Sequence, residues 1–107
     1  MTKPCMFCSI VSRDTPATWV GDFNVPGFVA FFDHRPQLRT HVIVASAEHV
    51  ESLTGLNAHR DRRLLAEQFT LAHIEAARLL KLRNFRVVIN VGIGKIGHLH
   101  AHILSDE

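Results

Sequence analysis

With 107 residues, 47% of them hydrophobic, and a formal charge of only +2, the chain is long enough for one ordinary core and too short for two. The twelve Lys and Arg are scattered apart from Arg60, Arg62 and Arg63, which read as a solvated helix start, so specific nucleic-acid binding is not expected. No segment is apolar for long enough to span a membrane. Met1-Thr2-Lys3-Pro4-Cys5 has no apolar run after its charge, and there are only two cysteines, so the expectation is one cytoplasmic domain over 1–107.

In chain order, Cys5 and Cys8 open the sequence, and Ile10 and Val11 fit one helical turn ending before Thr15-Pro16. Thr18-Trp19-Val20 is a short strand candidate. Asn24, Pro26 and Gly27 signal a turn, after which Phe28-Val29-Ala30-Phe31-Phe32 predicts a buried strand. Arg35-Pro36-Gln37 breaks the pattern, and His41-Val42-Ile43-Val44-Ala45 predicts a third strand. Ser46 fits the cap of a short helical turn, and Leu53 to Leu56 a second turn. The only long helical pattern runs from Ala58 to Leu82, with Leu65, Phe69, Ala72, Ala76, Leu79 and Leu80 on one stripe. Leu71 and Ile74 fall off that stripe, either as ordinary exposed residues or as a dimer contact. Phe85 to Val91 predicts a fourth strand, Gly92 to Gly97 a glycine-rich loop, and Leu99 to Leu104 a fifth strand. Strands joined by short connections around one long helix predict an α+β fold of largely antiparallel strands.

The fifth strand is unusual. His98, His100 and His102 alternate with Leu99, Ala101 and Ile103, which puts all three imidazoles on one face of a strand. Such a row could be a hydrogen-bonded polar face or a metal site, since catalytic zinc uses three nitrogens plus water. It could also perform phosphate chemistry. A neutral imidazole is a good nucleophile at neutral pH, and its neighbours can stabilise charge on the phosphoryl oxygens. The preceding Gly92-Ile93-Gly94-Lys95 favours the last, because glycines let backbone N–H groups approach an anion and Lys95 adds a positive charge.

Cys5-Met6-Phe7-Cys8 has the spacing of half a zinc site and of a thioredoxin-type redox pair. The redox motif needs a strand before its first cysteine, and only four residues stand there. Zinc needs two further ligands, for which His49 and His98 are available, and such a closed site would be structural. Two free thiols are the remaining reading.

His98-Leu99-His100-Ala101-His102-Ile103 resembles the His-x-His-x-His signature of the histidine triad (HIT) superfamily of nucleotide hydrolases and transferases. Cys5-Met6-Phe7-Cys8-Ser9-Ile10, Phe28-Val29-Ala30-Phe31-Phe32-Asp33, Thr40-His41-Val42-Ile43-Val44 and Asn90-x-Gly92 are similar to its upstream blocks, so the resemblance covers nearly the whole chain. It implies an α+β fold with a five-stranded antiparallel sheet, one long helix and short helical turns. It also implies a homodimer with a joined sheet, and hydrolysis or transfer at the α-phosphorus of a bound purine nucleotide. By this resemblance His100 is the nucleophile, His102 and His41 contact the α-phosphate, Asp33 binds the ribose, and Asn90 is a phosphate-side contact. His34 stands where an apolar residue usually lines the base pocket. The resemblance also implies structural zinc on Cys5, Cys8, His49 and His98, and no catalytic metal. His102 at the third triad position, where transferases resembling galactose-1-phosphate uridylyltransferase carry Gln, points to the hydrolase side. Gly94-Lys95-Ile96-Gly97 departs from the usual Gly-Gln-Ser/Thr-Val, with Lys95 at the hydroxyl position. The expected activity is hydrolysis of nucleoside phosphoramidates, acyl adenylates or dinucleoside polyphosphates through a covalent nucleotidyl-histidine. A nucleotidyltransferase, or a zinc-stabilised nucleotide-binding module without catalysis, is the alternative.

Overall fold

Strict alternation of side chains gives the sheet two unlike faces. In the computed structural model, which describes residues 5–94 and 96–107, β1 (Phe28–Phe32), β2 (Thr40–Ser46), β3 (Arg86–Val88) and β4 (His100–Ser105) form one antiparallel sheet in the order β1-β2-β4-β3. Val42 pairs with Ile103 and Val44 with Ala101, and these residues pack with Leu99 against Phe69, Ala72 and Ala76 of the long helix α2 (Arg62–Leu79). The intervening residues face the other way: Ile43 pairs with His102 and Ala45 with His100. On that side Phe31, Ile43 and Ala45 are covered by Phe7 and Ile10 of the short helix α1 (Met6–Val11). The expected α+β architecture is therefore present, with a dry face against α2 and a face of histidines and apolar residues against α1.

Among the described residues the sheet has four strands, not five. Thr18-Trp19-Val20 forms only an isolated bridge, Trp19 to Phe31, with Val20 N–H on the Ala30 carbonyl (3.0 Å) and Phe32 N–H on the Thr18 carbonyl (2.8 Å). Pro16 before it and Asp22 after it, at φ 64°, leave too short a stretch for a ladder. The fourth predicted strand shrinks to β3. The last strand starts at His100 because the Leu99 N–H donates instead to the Val50 carbonyl (2.6 Å).

The predicted long helix begins four residues late and stops three residues early. Its end is a Schellman motif: Lys81 takes the left-handed conformation (φ 57°), Lys81 N–H donates to Arg78 (3.1 Å) and Leu82 N–H to Ala77 (2.9 Å). Helix α1 ends the same way on Arg13 (φ 67°), with Asp14 N–H on the Ser9 carbonyl (2.9 Å). The turn expected at Leu53–Leu56 is a 3-10 turn over Thr54–Ala58. Ser46 is not a helix cap. It ends β2, buried. Among the described residues no helix is long and apolar enough to cross a membrane.

Candidate active site and metal centre

The α1 face of the sheet gathers two groups of donors along β4, one just before its start and the other beside His102. In the first group Cys5 is the N-cap of α1, its sulfur accepting the Cys8 N–H at 3.5 Å, so both thiols are presented from one helical turn. They meet His98 Nδ1 at 3.3 Å (Cys5) and 3.5 Å (Cys8), and Cys8 Sγ also meets His49 Nδ1 at 3.2 Å. His49 reaches this point because the segment after β2 is tied to the segment before β4: Ser46 N–H donates to Leu99 (3.1 Å) and Leu99 N–H to Val50 (2.6 Å). All four donor atoms lie within 4.8 Å of one another. Donors around a tetrahedral zinc stand about 3.3–3.8 Å apart.

The protons decide what this group can hold. His98 Nε2 faces the Ser46 carbonyl oxygen at 2.7 Å, which can only accept, so Nε2 carries the hydrogen and Nδ1 presents its lone pair to the thiols. A metal-ligating histidine is held in this way, donating its other N–H to a carbonyl. Burial, opposed by that Ser46 contact and reinforced by His49 and His100, lowers the His98 pKa and keeps the ring neutral. The Cys8 thiol is pushed up by burial and by Cys5 beside it, a repulsion that a bound cation would relieve. The donor set fits a structural metal ion.

The second group does the opposite. Gln37 N–H donates to His41 Nδ1 at 3.1 Å, so His41 carries its proton on Nε2 and donates it to His102 Nδ1 at 2.9 Å. Asp33 Oδ2 stands 3.4 Å from the same Nε2, and its other oxygen accepts the Arg35 N–H at 2.8 Å. Asp33, His41 and His102 could be counted as metal donors by proximity alone. The amide on His41 Nδ1 instead commits the facing nitrogen to donation. His102 then has its hydrogen on Nε2, and burial first, then His100 and His41, lowers its pKa, against Asp33, which raises it. His100 Nδ1 faces the His98 carbonyl oxygen at 2.7 Å, so Nδ1–H donates and Nε2 is left with a free electron pair.

A cleft of about 1070 Å³ opens along this face, lined by Asp33, His34, Asn90, His100 and His102, with Met6, Phe7 and Ile43 among its apolar walls. Thus the structure brings together nearly all the expected substrate-side residues. His41 is the exception: it is 3% exposed, does not line the cleft, and reaches it through His102. His34 lies at the rim, its ring largely in solvent and 3.8 Å from Asp33. Gly92 and Gly94 hold positive φ (73° and 93°), so the loop beyond Asn90 needs them, while Lys95 lies outside the described residues. Sequence reasoning missed the Ser46 carbonyl, the Gln37 amide and the His98 carbonyl, which fix three tautomers. Backbone groups leave no mark in composition. It also missed Phe7, whose signal was its place between the two cysteines.

Over residues 4–107 the sequence matches the family described as scavenger mRNA decapping enzyme C-term binding. It is 30% identical over 105 residues to a HIT-like protein of Mycobacterium tuberculosis, covering 94% of this chain and 70% of that protein. It is 26% identical over 108 residues to the adenosine 5′-monophosphoramidase HINT3 of Mus musculus, covering 94% of this chain and 62% of that one. Among solved structures it is similar to a histidine triad protein from Clostridium difficile (TM-score 0.81, 25% identity, 97% and 92% of the two chains). It is also similar to a HIT family hydrolase from Legionella pneumophila (TM-score 0.76, 30% identity, 97% and 94%). With these matches running almost end to end, and with the alternating histidines on one sheet face, the chain belongs to the histidine triad superfamily.

Proposed function

We propose that this protein is a nucleotide phosphohydrolase. It cleaves at the α-phosphorus of nucleoside phosphoramidates, acyl adenylates or dinucleoside polyphosphates, through a covalent nucleotidyl-His100 intermediate. The observation that carries this reading is the state of the His100 ring: a proton held on Nδ1 by the His98 carbonyl, a free pair on Nε2, and a place on the cleft wall beside His102. Nε2 attacks phosphorus, the N–P bond forms, and the bond to the leaving group breaks with its electrons. The positive charge that develops on the ring is stabilised at Nδ1–H by the carbonyl oxygen. His102 offers Nε2–H to a phosphoryl oxygen, with His41 fixing its orientation from behind. Asp33 and Asn90 hold the ribose and phosphate side of a purine nucleotide, and His34 flanks the base; from its sequence position alone, Lys95 is assigned to substrate binding. Water then breaks the N–P bond and releases the nucleoside monophosphate. The homologous phosphoramidase HINT3 supports the reaction class.

Zinc on Cys5, Cys8, His49 and His98 belongs to the same reading, where it supplies folding free energy rather than a step in catalysis. Thiol ligands persist in a reducing compartment, which fits a cytoplasmic protein. A homodimer is also part of the proposal, supported by Leu64, Leu71 and Ile74 exposed along one side of α2, and by β3 as an edge strand.

Intact-mass spectrometry after brief mixing with an adenosine phosphoramidate is expected to give an adenylate adduct on His100. His100→Ala is expected to lose hydrolysis by several orders of magnitude while still binding AMP, and equal rates in both proteins would overturn the covalent role. Metal analysis of the Cys5→Ser/Cys8→Ser variant is expected to find no zinc. Stoichiometric zinc retained there would mean a ligand set without the thiols.

A further inference from the structure

Helix α1 has six residues, too few to be stable alone, so its place on the sheet depends on what its side chains grip. Cys5 and Cys8 grip His98 and His49, Ser9 Oγ bonds Thr15 Oγ1 at 2.7 Å, and Phe7 and Ile10 enter the apolar layer with Phe31, Ile43 and Ala45. Phe7 lies between the two thiols in sequence and is 2% exposed. Its ring sits edge-on to three others: Phe31 at 5.6 Å between centroids, His98 at 5.8 Å and His100 at 4.8 Å, the last at 81°. One phenyl ring therefore touches a residue of the four-donor group and the proposed nucleophile at once.

The His100 ring needs that contact. Its Nδ1–H is tied to the His98 carbonyl, but a single hydrogen bond leaves the ring able to tilt about it. Its other ring neighbour, His102, stands at 5.1 Å and 77° on one side. Phe7 supplies a wall, and that wall stands on a helix whose position the thiols help to set. A misplacement of about 1 Å at a reacting atom can cost on the order of a hundredfold in rate.

We propose that Phe7 is a positioning residue for His100, and that through it the Cys5–Cys8–His49–His98 group sets the aim of the nucleophile. The inference rests on the hydrolase reading and adds to it a dependence of the reacting ring on the thiols. His98 is the other link, with its side chain in the donor group and its carbonyl on His100. The two links make separate demands: the carbonyl orients Nδ1–H, and Phe7 limits the tilt.

The test compares the unmodified chain with Phe7→Leu, which keeps an apolar side chain but removes the flat edge. Single-turnover adenylation of His100 is expected to slow tenfold or more in Phe7→Leu, with AMP affinity changed less than threefold. The second readout needs no turnover. The ¹⁵N signals of the His100 ring, at fixed pH and without substrate, are expected to move when zinc is added to the chelator-treated unmodified chain. They are expected to move clearly less in Phe7→Leu, where only the His98 link remains. Circular dichroism follows the fold throughout. If chelation unfolds the chain, exchange of zinc for the larger cadmium ion replaces it, and the same contrast is expected. Signals unmoved by the metal in the unmodified chain, or moved equally in both proteins, would overturn the coupling through Phe7, whether or not Phe7→Leu is active. Full activity in His100→Ala would instead sink the covalent role of His100 and leave the spectroscopic result standing.

Discussion

Four imidazoles lie along one face of the β2–β4 pair, and each is set by a neighbour that takes or offers a single hydrogen. The Ser46 carbonyl leaves Nδ1 of His98 with its lone pair toward the thiols, the His98 carbonyl leaves Nε2 of His100 with a free pair, and the Gln37 amide makes His41 a donor to His102. Removing the donor behind His102 tests this chain of roles. His41→Phe leaves the half-buried His102 ring without its Nδ1 donor and unpinned, at a cost to stability of about 1–3 kcal/mol. Hydrolysis is therefore expected to fall about tenfold to a hundredfold, with AMP affinity little changed. Stopped-flow rates and equilibrium binding separate the two, and an unaltered rate would remove His41 from the relay. The three alternating histidines and the Cys pair were legible because each group is local in sequence. His41 and His49 became candidates through the family resemblance and through the ligand count. Gln37 and Ser46 were invisible because they act through main-chain atoms, which every residue has.

Local pattern also marked most of the secondary structure, and it failed where a boundary depended on a distant partner. Leu99 alternates like a strand residue, but its amide donates to Val50, so β4 begins one residue later. Helix α2 stops at a left-handed Lys81, where no glycine announces the end. Within α2, His73 carries a consequence that periodicity did not print. Its Nδ1–H donates to the Phe69 carbonyl at 2.7 Å, and its buried Nε2 has no hydrogen-bond partner among the described residues. Burial lowers its pKa, partly offset by the Phe69 contact. An imidazole that resists protonation when folded is protonated more readily when unfolded. Its contribution to stability is therefore complete above the ordinary imidazole value of about 6.5 and is lost as pH falls below it. The melting temperature is expected to drop from pH 7 to pH 5, and His73→Leu is expected to make that drop shallower. An identical slope in the variant would assign the pH response to other groups.

For the molecule as a whole, the sheet separates a dry layer under α2 from the cleft side, and the outer side of α2 is left with Leu71 and Ile74 each about half exposed (50% and 57%). These were the residues that fell off the helical stripe, and their exposure keeps the dimer reading alive. Sedimentation of the unmodified chain at micromolar concentration is expected to give a dimer, and Leu71→Glu with Ile74→Glu a monomer of unchanged circular dichroism. A monomeric unmodified chain would overturn the dimer, and a dimeric variant would move the contact elsewhere. The two-faced sheet has one more consequence, for how the chain reaches its fold. Because His100 and His102 alternate with Ala101 and Ile103 in β4, sliding it by one position against β2 would drive the two imidazoles in among Val42, Val44 and Phe69, and push Ala101 and Ile103 out. Such a slipped pairing is heavily disfavoured, so the alternation that arms the site also proofreads the sheet during folding.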